Sequence, residues 1–342
     1  KPAYAAYVAQ DGEEFQLGKI KIRAIHTPGH TMESTCFLLI DETGKETAIF
    51  TGDTLFIGDV GRPDLAQHVI SDLTEEKLAG YLYESLRNKV IPLPNELIVY
   101  PGHGAGSACG KKMSKETTDT LGNQKKVNYA LNPALTKDEF IKVLLTGLTT
   151  PPVYFPQNVL MNIKGYESLD TVMEKGKRYL SPAEFEAVAN ETHALILDTR
   201  KADDFAAGFI PNSINIGIDG QFAQWVGEMI PDVKQEILLI ADAGREEECI
   251  IRLSRVGYDH TIGVLKDGIT AWKAAGMELD SLERISATEL EQRYQQADVT
   301  IFDVRKKSEF DSEHVVGAIN VPLNQINQHL AAFPKDKPFV LH

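Results

Sequence analysis

Cysteine is scarce in this chain, with 3 in 342 residues. Cys36, Cys109 and Cys249 stand far apart without paired metal spacing, so no disulfide framework can be inferred. A reducing cytoplasm is the compartment that such thiol usage fits. Long apolar runs are also missing. None approaches the roughly eighteen residues that a membrane span needs. Positive charge is in the minority, with 35 Lys and Arg against 49 Asp and Glu and a net charge of −14. That balance argues against nucleic acid and anionic membrane, both of which call for a clustered basic face. Small-molecule partners are therefore expected. The opening Lys1-Pro2-Ala3-Tyr4 holds neither an initiator Met nor a signal-like apolar segment. What is present is the composition of a soluble globular protein, 43% hydrophobic and 25% charged, at a length that predicts two or three domains.

The first chemical signal is Thr27-Pro28-Gly29-His30-Thr31, followed 23 residues after His30 by Asp53 in Thr51-Gly52-Asp53-Thr54. Each side chain follows an apolar or alternating run, so both are expected at strand ends. A neutral imidazole and a carboxylate on two such turns suit a divalent first-row metal such as zinc or iron. Gly29 and Gly52 mark places where backbone must pass close to something. The runs 19–25, 35–40 and 46–50 read as an antiparallel meander. From Thr74 to Asn88 the spacing turns helical, with Leu78, Leu82 and Leu86 on one stripe. The short strand Leu97 to Tyr100 then delivers Pro101-Gly102-His103-Gly104. In the loop Gly58 to Asp64, Arg62 is either an anion clamp or an exposed surface arginine. His26 and His68 read as structural or solvated, and Cys36 as core.

Thr27 to Thr31, Gly52 to Phe56 and Pro101 to His103 resemble the second half of a metallo-β-lactamase-superfamily domain of the glyoxalase II and persulfide dioxygenase branch. The runs Thr51 to Asp64 and Gly104 to Gly110 are similar to bacterial persulfide dioxygenases fused to rhodanese modules. The resemblance implies an αββα sandwich with one iron held by two histidines and an aspartate. His30 and Asp53 would be two of these ligands. His103 matches a residue that holds a second metal in dinuclear relatives or lies just outside the ligand set. The family's His-x-His-x-Asp-His motif, which supplies the remaining histidine, is not in the sequence, so the chain is expected to begin inside the domain. Gly104 also departs from glutathione-handling relatives, which puts glutathione as carrier thiol in question. Cys109 is either a thiol near the iron, together with Arg62 on the substrate side, or a small packed residue.

Thr136-Lys137-Asp138-Glu139 is a capping box ahead of Phe140, and Thr149-Thr150-Pro151-Pro152 is expected to break that helix. The polar stretch from Gly165 to Gly176 reads as a domain boundary. Beyond it an internal repeat runs at an offset of 105 residues. Ser181-Pro182-Ala183-Glu184 matches Ser286-Ala287-Thr288-Glu289, Asp198-Thr199-Arg200 matches Asp303-Val304-Arg305, Phe205 matches Phe310, and Ile214-Asn215 matches Ile319-Asn320. Helices alternating with short apolar strands predict small parallel α/β domains. Both copies resemble rhodanese domains, whose catalytic cysteine follows a strand. In the first copy that strand, Ile237 to Ala241, runs into Asp242, which cannot carry sulfane sulfur. Phe209 stands where the second copy has His314, and Cys249 reads as core. In the second copy His342 aligns with Ala241 at an offset of 101, and a cysteine is expected directly after it.

The expected fold is thus an αββα metallo-β-lactamase sandwich, in part, followed by two rhodanese-like parallel α/β domains. The expected limits are 1–175, 179–280 for a pseudo-rhodanese, and 284–342 for an incomplete second copy. The expected function is iron-dependent oxidation of a low-molecular-weight thiol persulfide by O2 to sulfite, with one Fe(II) per chain, coupled to rhodanese sulfur transfer. A zinc-dependent, glyoxalase II-like thioester hydrolase with rhodanese sensor modules is the alternative. A scaffold that has lost its metal is a third reading. Nucleic acid and membrane are not expected as partners, and a homo-oligomer stays open.

Overall fold

The computed structural model describes residues 2–64, 73–105, 107, 109–111, 113–148, 154–296 and 299–342. His68 and the Thr149 to Pro152 helix stop lie outside the described residues. Two compact units are formed, Lys1–Tyr166 and Glu167–His342.

The first unit is built on a six-stranded sheet, β1 (Glu14–Leu17), β2 (Ile20–His26), β3 (Thr35–Ile40), β4 (Glu46–Gly52), β5 (Ile98–Pro101) and β6 (Asp119–Thr120), paired in that order. β1 to β4 form the expected antiparallel meander. β5 lies parallel to β4, because the chain crosses over through α1 (Glu75–Ser85) before returning. Alternation decides which face is covered. Cys36 and Leu38 of β3, Ile49 of β4 and Val99 of β5 are buried together with Leu82 and Leu86, and Ile40 of β3 is buried as well. Each such large side chain contributes about 1.5–3 kcal/mol when fully buried. On the other face Phe37, Phe50 and Tyr100 share one cross-strand row and stay partly exposed, with Phe50 and Tyr100 stacked at 5.3 Å.

Thr74 caps α1 by accepting from Lys77 N–H. The helical spacing expected as far as Asn88 is α-helical only to Ser85 and widens into a π turn over Leu86–Val90. Next come α2 (Leu121–Val127), α3 (Lys137–Leu145) and α4 (Phe155–Lys164). The capping box of α3 is present, with Thr136 and Glu139 each satisfying the other's backbone N–H.

In the second unit, β7 (Tyr179–Leu180), β8 (Leu195–Asp198), β9 (Ile214–Asn215), β10 (Ile237–Ile240) and β11 (Thr261–Leu265) form an all-parallel sheet in the order β7-β11-β10-β8-β9. β12 (Thr300–Asp303), β13 (Ile319–Asn320) and β14 (Phe339–Leu341) form a second parallel sheet in the order β13-β12-β14. The stretch read as a boundary contains a helix, Leu169–Gly176, capped by Ser168.

The repeat is carried into three dimensions at single hydrogen bonds. Both capping boxes, at Ser181 and Ser286, are formed. Arg200 grips Asp198 as Arg305 grips Asp303. Asn215 donates to the carbonyls of Asp198 and Arg200, as Asn320 does to those of Asp303 and Arg305. Phe205 stacks on Phe209 at 4.4 Å, and Phe310 on His314 at 3.9 Å. One alignment is corrected. Leu341 pairs with Phe302 as Leu239 pairs with Leu197, and Val304 N–H donates to His342 as Thr199 N–H does to Ile240. His342 therefore occupies the place of Ile240, not Ala241. A thiol directly after it would fall one place short of Asp242.

Candidate metal centre

β2 and β4 flank the antiparallel β3 and so end at the same edge of the sheet, where the turns that follow them carry His30 and Asp53. The turns are stitched together below the site, where the Thr27 and Thr54 hydroxyls lie 2.8 Å apart, buried. Pro28-Gly29 rests on α1. A Cβ on Gly29 would come within 2.3 Å of Leu82 Cβ, and Ser85 donates to the Pro28 carbonyl at 2.8 Å. Gly52 takes a left-handed φ of 49°, which turns the chain so that Asp53 faces back toward His30.

His30 is buried, and its Nδ1 lies 2.8 Å from the carbonyl oxygen of Arg62. A carbonyl only accepts, so Nδ1 carries the proton and Nε2 presents its lone pair. That lone pair faces Asp53 Oδ2 at 3.2 Å. His103 Nε2 approaches the same oxygen at 3.5 Å. Burial by itself would raise the Asp53 carboxyl. Where a proton rather than a cation lies between these atoms, the hydrogen bonds and charges of the protonated His103 and His30 outweigh it and hold the group well below the usual carboxylate range. His103 in turn is pushed up to about 10 by Asp53 and Cys109. Donor atoms of Asp53, His103 and Cys109 all lie within 4.8 Å of one another.

These residues fit a cation. Two lone-pair atoms that face each other need a proton or a metal between them, and 3.2–3.5 Å is the spacing of donors that share one ion at about 2.1 Å. Glycines make room for the arrangement. A Cβ on Gly102 would sit 2.6 Å from Asp53 Oδ1, and one on Gly61 would sit 2.0 Å from the Asp53 carbonyl and 2.9 Å from His30 Nδ1.

Arg62 is buried and not a surface arginine. Its guanidinium meets both Asp64 oxygens at 2.6 Å, while its carbonyl orients His30 and its N–H donates to the Cys109 carbonyl at 3.0 Å. His26 turns away and pairs with the Met32 carbonyl at 2.7 Å. Cys36 is core, its thiol pushed up by burial. Asp59, Asn128 and Tyr129 are polar groups around the site that the sequence reading did not single out. Asp59 alone carried a signal, as an acidic residue between two glycines.

In the first repeat, β10 leads to Asp242, exposed at a cavity of about 220 Å³ whose lining includes Thr199, Lys201 and Asp219. Cys249 points into the core against Thr199 at 3.3 Å, and burial pushes its thiol up to about 11. Such a thiol is protonated and unreactive at neutral pH.

A mixed sheet with imidazole and carboxylate groups gathered at its strand ends, followed by repeated parallel sheets, defines a metallo-β-lactamase fold joined to rhodanese modules. Known proteins agree. The rhodanese-like domain family matches residues 181–275 and 286–342. A metallo-β-lactamase from Staphylococcus aureus superposes with a TM-score of 0.63 at 30% identity, covering 76% of this chain and 71% of that one. The mitochondrial persulfide dioxygenase of Bos taurus is 31% identical over 144 residues, 42% of this chain and 47% of the relative. A Schizosaccharomyces pombe protein named probable hydroxyacylglutathione hydrolase is 37% identical over 98 residues, 29% of this chain and 33% of the relative. The chain belongs to the metallo-β-lactamase-fold proteins fused to rhodanese-like domains. It spans a third to a half of the length of the curated relatives it matches. Among the described residues, no helix is long and apolar enough to cross a membrane.

Proposed function

We propose that this chain belongs to an iron-dependent persulfide dioxygenase, which oxidises a low-molecular-weight thiol persulfide with O2 to sulfite and is coupled to rhodanese sulfur transfer. The observation that carries this reading is the His30–Asp53 pair, its imidazole fixed in the metal-binding tautomer, with the Cys109 thiol beside it. When bound, Fe(II) supplies the redox chemistry by which O2 oxidises a sulfane sulfur. His30 and Asp53 would hold it, with His103 as a neighbouring donor. Cys109 lines the substrate side. For Arg62 to clamp an anionic product it would exchange Asp64 for the ligand; in its present pairing it fixes the loop that orients His30.

The proposed modules are residues 1–175, 179–280 and 284–342, in a reducing cytoplasm. The first rhodanese copy is proposed to be catalytically silent, since Asp242 replaces the thiol. Similarity to hydroxyacylglutathione hydrolases supports a second reading, zinc-dependent thioester hydrolysis. The repeat favours the first, because a rhodanese and a persulfide oxidase share a sulfane intermediate, whereas thioester hydrolysis yields nothing that a rhodanese can use. Metal analysis of the full-length protein together with O2 uptake tests the choice. One Fe(II) per chain and O2 consumption only with a persulfide are expected. Two tightly held zinc ions with thioesterase turnover would overturn it.

A further inference from the structure

The turn that carries Cys109 has little regular structure of its own, yet it is held at several points. Cys109 N–H donates to Ser107 Oγ at 3.1 Å, and the Cys109 carbonyl accepts from Arg62 N–H. Two residues on, Lys111 N–H donates to Asp59 Oδ2 at 2.6 Å, while the Lys111 ammonium reaches the carbonyls of Val143, Leu144 and Thr146 at the end of α3. Asp59 is fully buried. Its Oδ1 accepts from Val60 N–H at 2.9 Å and from the Tyr129 hydroxyl at 3.1 Å. Its own carbonyl is held by Phe56 N–H and by Asn128 Nδ2. Burial and the adjoining Asp59 charge push the Tyr129 hydroxyl up, so it remains a donor throughout the neutral range. Gly110 lets the turn come this close, since a Cβ there would stand 3.1 Å from Asp59 Oδ2 and 3.0 Å from Met113 Cγ.

A buried carboxylate is costly unless it is hydrogen-bonded, and one that accepts from backbone N–H groups fixes their positions strongly. We propose that Asp59 is the positioning residue for Cys109: its carboxylate ties the Lys111 N–H to the 56–62 loop and so holds the nearby Cys109 thiol against His103 and Asp53. The same loop orients His30 through the Arg62 carbonyl, so both sides of the site share one support. The inference deepens the reading of Cys109 as a substrate-side residue. It is tested without turnover, so its failure leaves the assigned reaction standing.

The test is the rate of iodoacetamide alkylation of each cysteine in the full chain, followed by peptide mass spectrometry. Asp59→Asn keeps the shape but sets an amide donor against Lys111 N–H. It should raise the Cys109 rate about tenfold, the factor for a loss of about 1.4 kcal/mol. Cys36, in the core of the same unit, should stay protected. Gly110→Ala, which pushes the backbone at Cys109 and Lys111 off Asp59 while leaving the carboxylate chemically unchanged, should give the same pattern. Tyr129→Phe, which removes one donor, should raise the Cys109 rate by a smaller factor and decides the matter if Asp59→Asn does not fold. An unchanged Cys109 rate with Cys36 protected would overturn the proposal. Equal acceleration at Cys36 and Cys109 would also overturn it, because Asp59 would then serve the fold alone.

Discussion

Gly61→Ala is the sharpest perturbation of the candidate metal centre, because it adds one methyl group and changes no donor. The new Cβ would lie 2.0 Å from the Asp53 carbonyl oxygen, 2.9 Å from His30 Nδ1 and 3.0 Å from His30 Cγ. Carbon and carbonyl oxygen approach no closer than about 3.3 Å in ordinary contact, so the loop and the two turns must part by more than about 1 Å. Both first neighbours are backbone or a buried ring, and neither can swing away. Overpacking of this kind costs about 1–3 kcal/mol of stability. Losing the support of a metal-bound imidazole lowers affinity by about 10–100-fold, or about 1.4–2.7 kcal/mol. The control is Gly104→Ala, whose Cβ meets nothing within 4 Å and should change stability by less than about 0.5 kcal/mol. Chelator-stripped proteins would be titrated with Zn(II), and anaerobically with Fe(II), against a chromophoric competitor, alongside thermal unfolding. A folded Gly61→Ala protein that binds metal like the parent would refute the site, as would equal weakening in Gly104→Ala.

Arg62→Lys replaces a buried fork on Asp64 by a point charge and should cost about 1.5–3 kcal/mol in thermal unfolding. Persulfide turnover should fall further than iron content, and equal losses would make Arg62 purely structural. Asp242→Ala should leave sulfurtransferase activity of the full-length protein unchanged, since Asp242 is exposed and has no thiol to activate. A large loss would give the first repeat an active part. Asp303 is held below the usual carboxylate range by its hydrogen bonds and ion pair with Arg305. A depressed carboxyl contributes stability that is present above its unfolded value of about 3.9 and is lost as pH falls through the folded value. Acid unfolding of the second unit should therefore steepen below about pH 4, and Asp303→Asn should flatten that limb; an unchanged acid limb would show that the fork is not what acid breaks.

What sequence could reveal here depended on the distance over which each feature is determined. β3 matches its expected limits because Cys36, Leu38 and Ile40 alternate with outward residues, a signal confined to six residues. The Pro28-Gly29 and Gly52 turns were equally local, and they located His30 and Asp53. β1 is a short edge strand with an exposed pattern, and nothing in Glu14–Leu17 alternates strongly enough to separate it from loop. Asp59 and Tyr129 meet across 70 residues, a pairing that only tertiary structure creates. Whether Arg62 was exposed or buried was open for the same reason, as its burial depends on Asp64 and on the turn at Cys109. The shift of one residue at His342 has another origin. Ile237–Ile240 and Phe339–Leu341 are uninterrupted apolar strands, and a run without alternation can slide against another at no cost in pattern. Backbone hydrogen bonds to Thr199 and Val304 remove that freedom.

The two repeats also separate residues that serve the fold from residues that serve chemistry. The first copy has no thiol at its strand-end loop, yet it retains the fork of Arg200 on Asp198 and the Asn215 clamp on the carbonyls of Asp198 and Arg200. The second copy shows the same hydrogen bonds about Asp303, Arg305 and Asn320. A pattern kept by a copy that has no nucleophile is explained by what it satisfies. Asp198 and Asp303 are fully buried at the ends of central strands, where an unpaired carboxylate would be strongly destabilising, and the neighbouring arginine and asparagine pair the carboxylate and the carbonyls of the turn that follows. Phe209 and His314 differ in the opposite sense. They occupy equivalent stacking positions on Phe205 and Phe310, but only His314 brings a polar ring, whose Nδ1 donates to the Phe310 carbonyl at 2.7 Å and leaves Nε2 to accept a hydrogen bond. The position therefore packs in both copies, and in one of them it also offers a ring nitrogen to a hydrogen-bond partner.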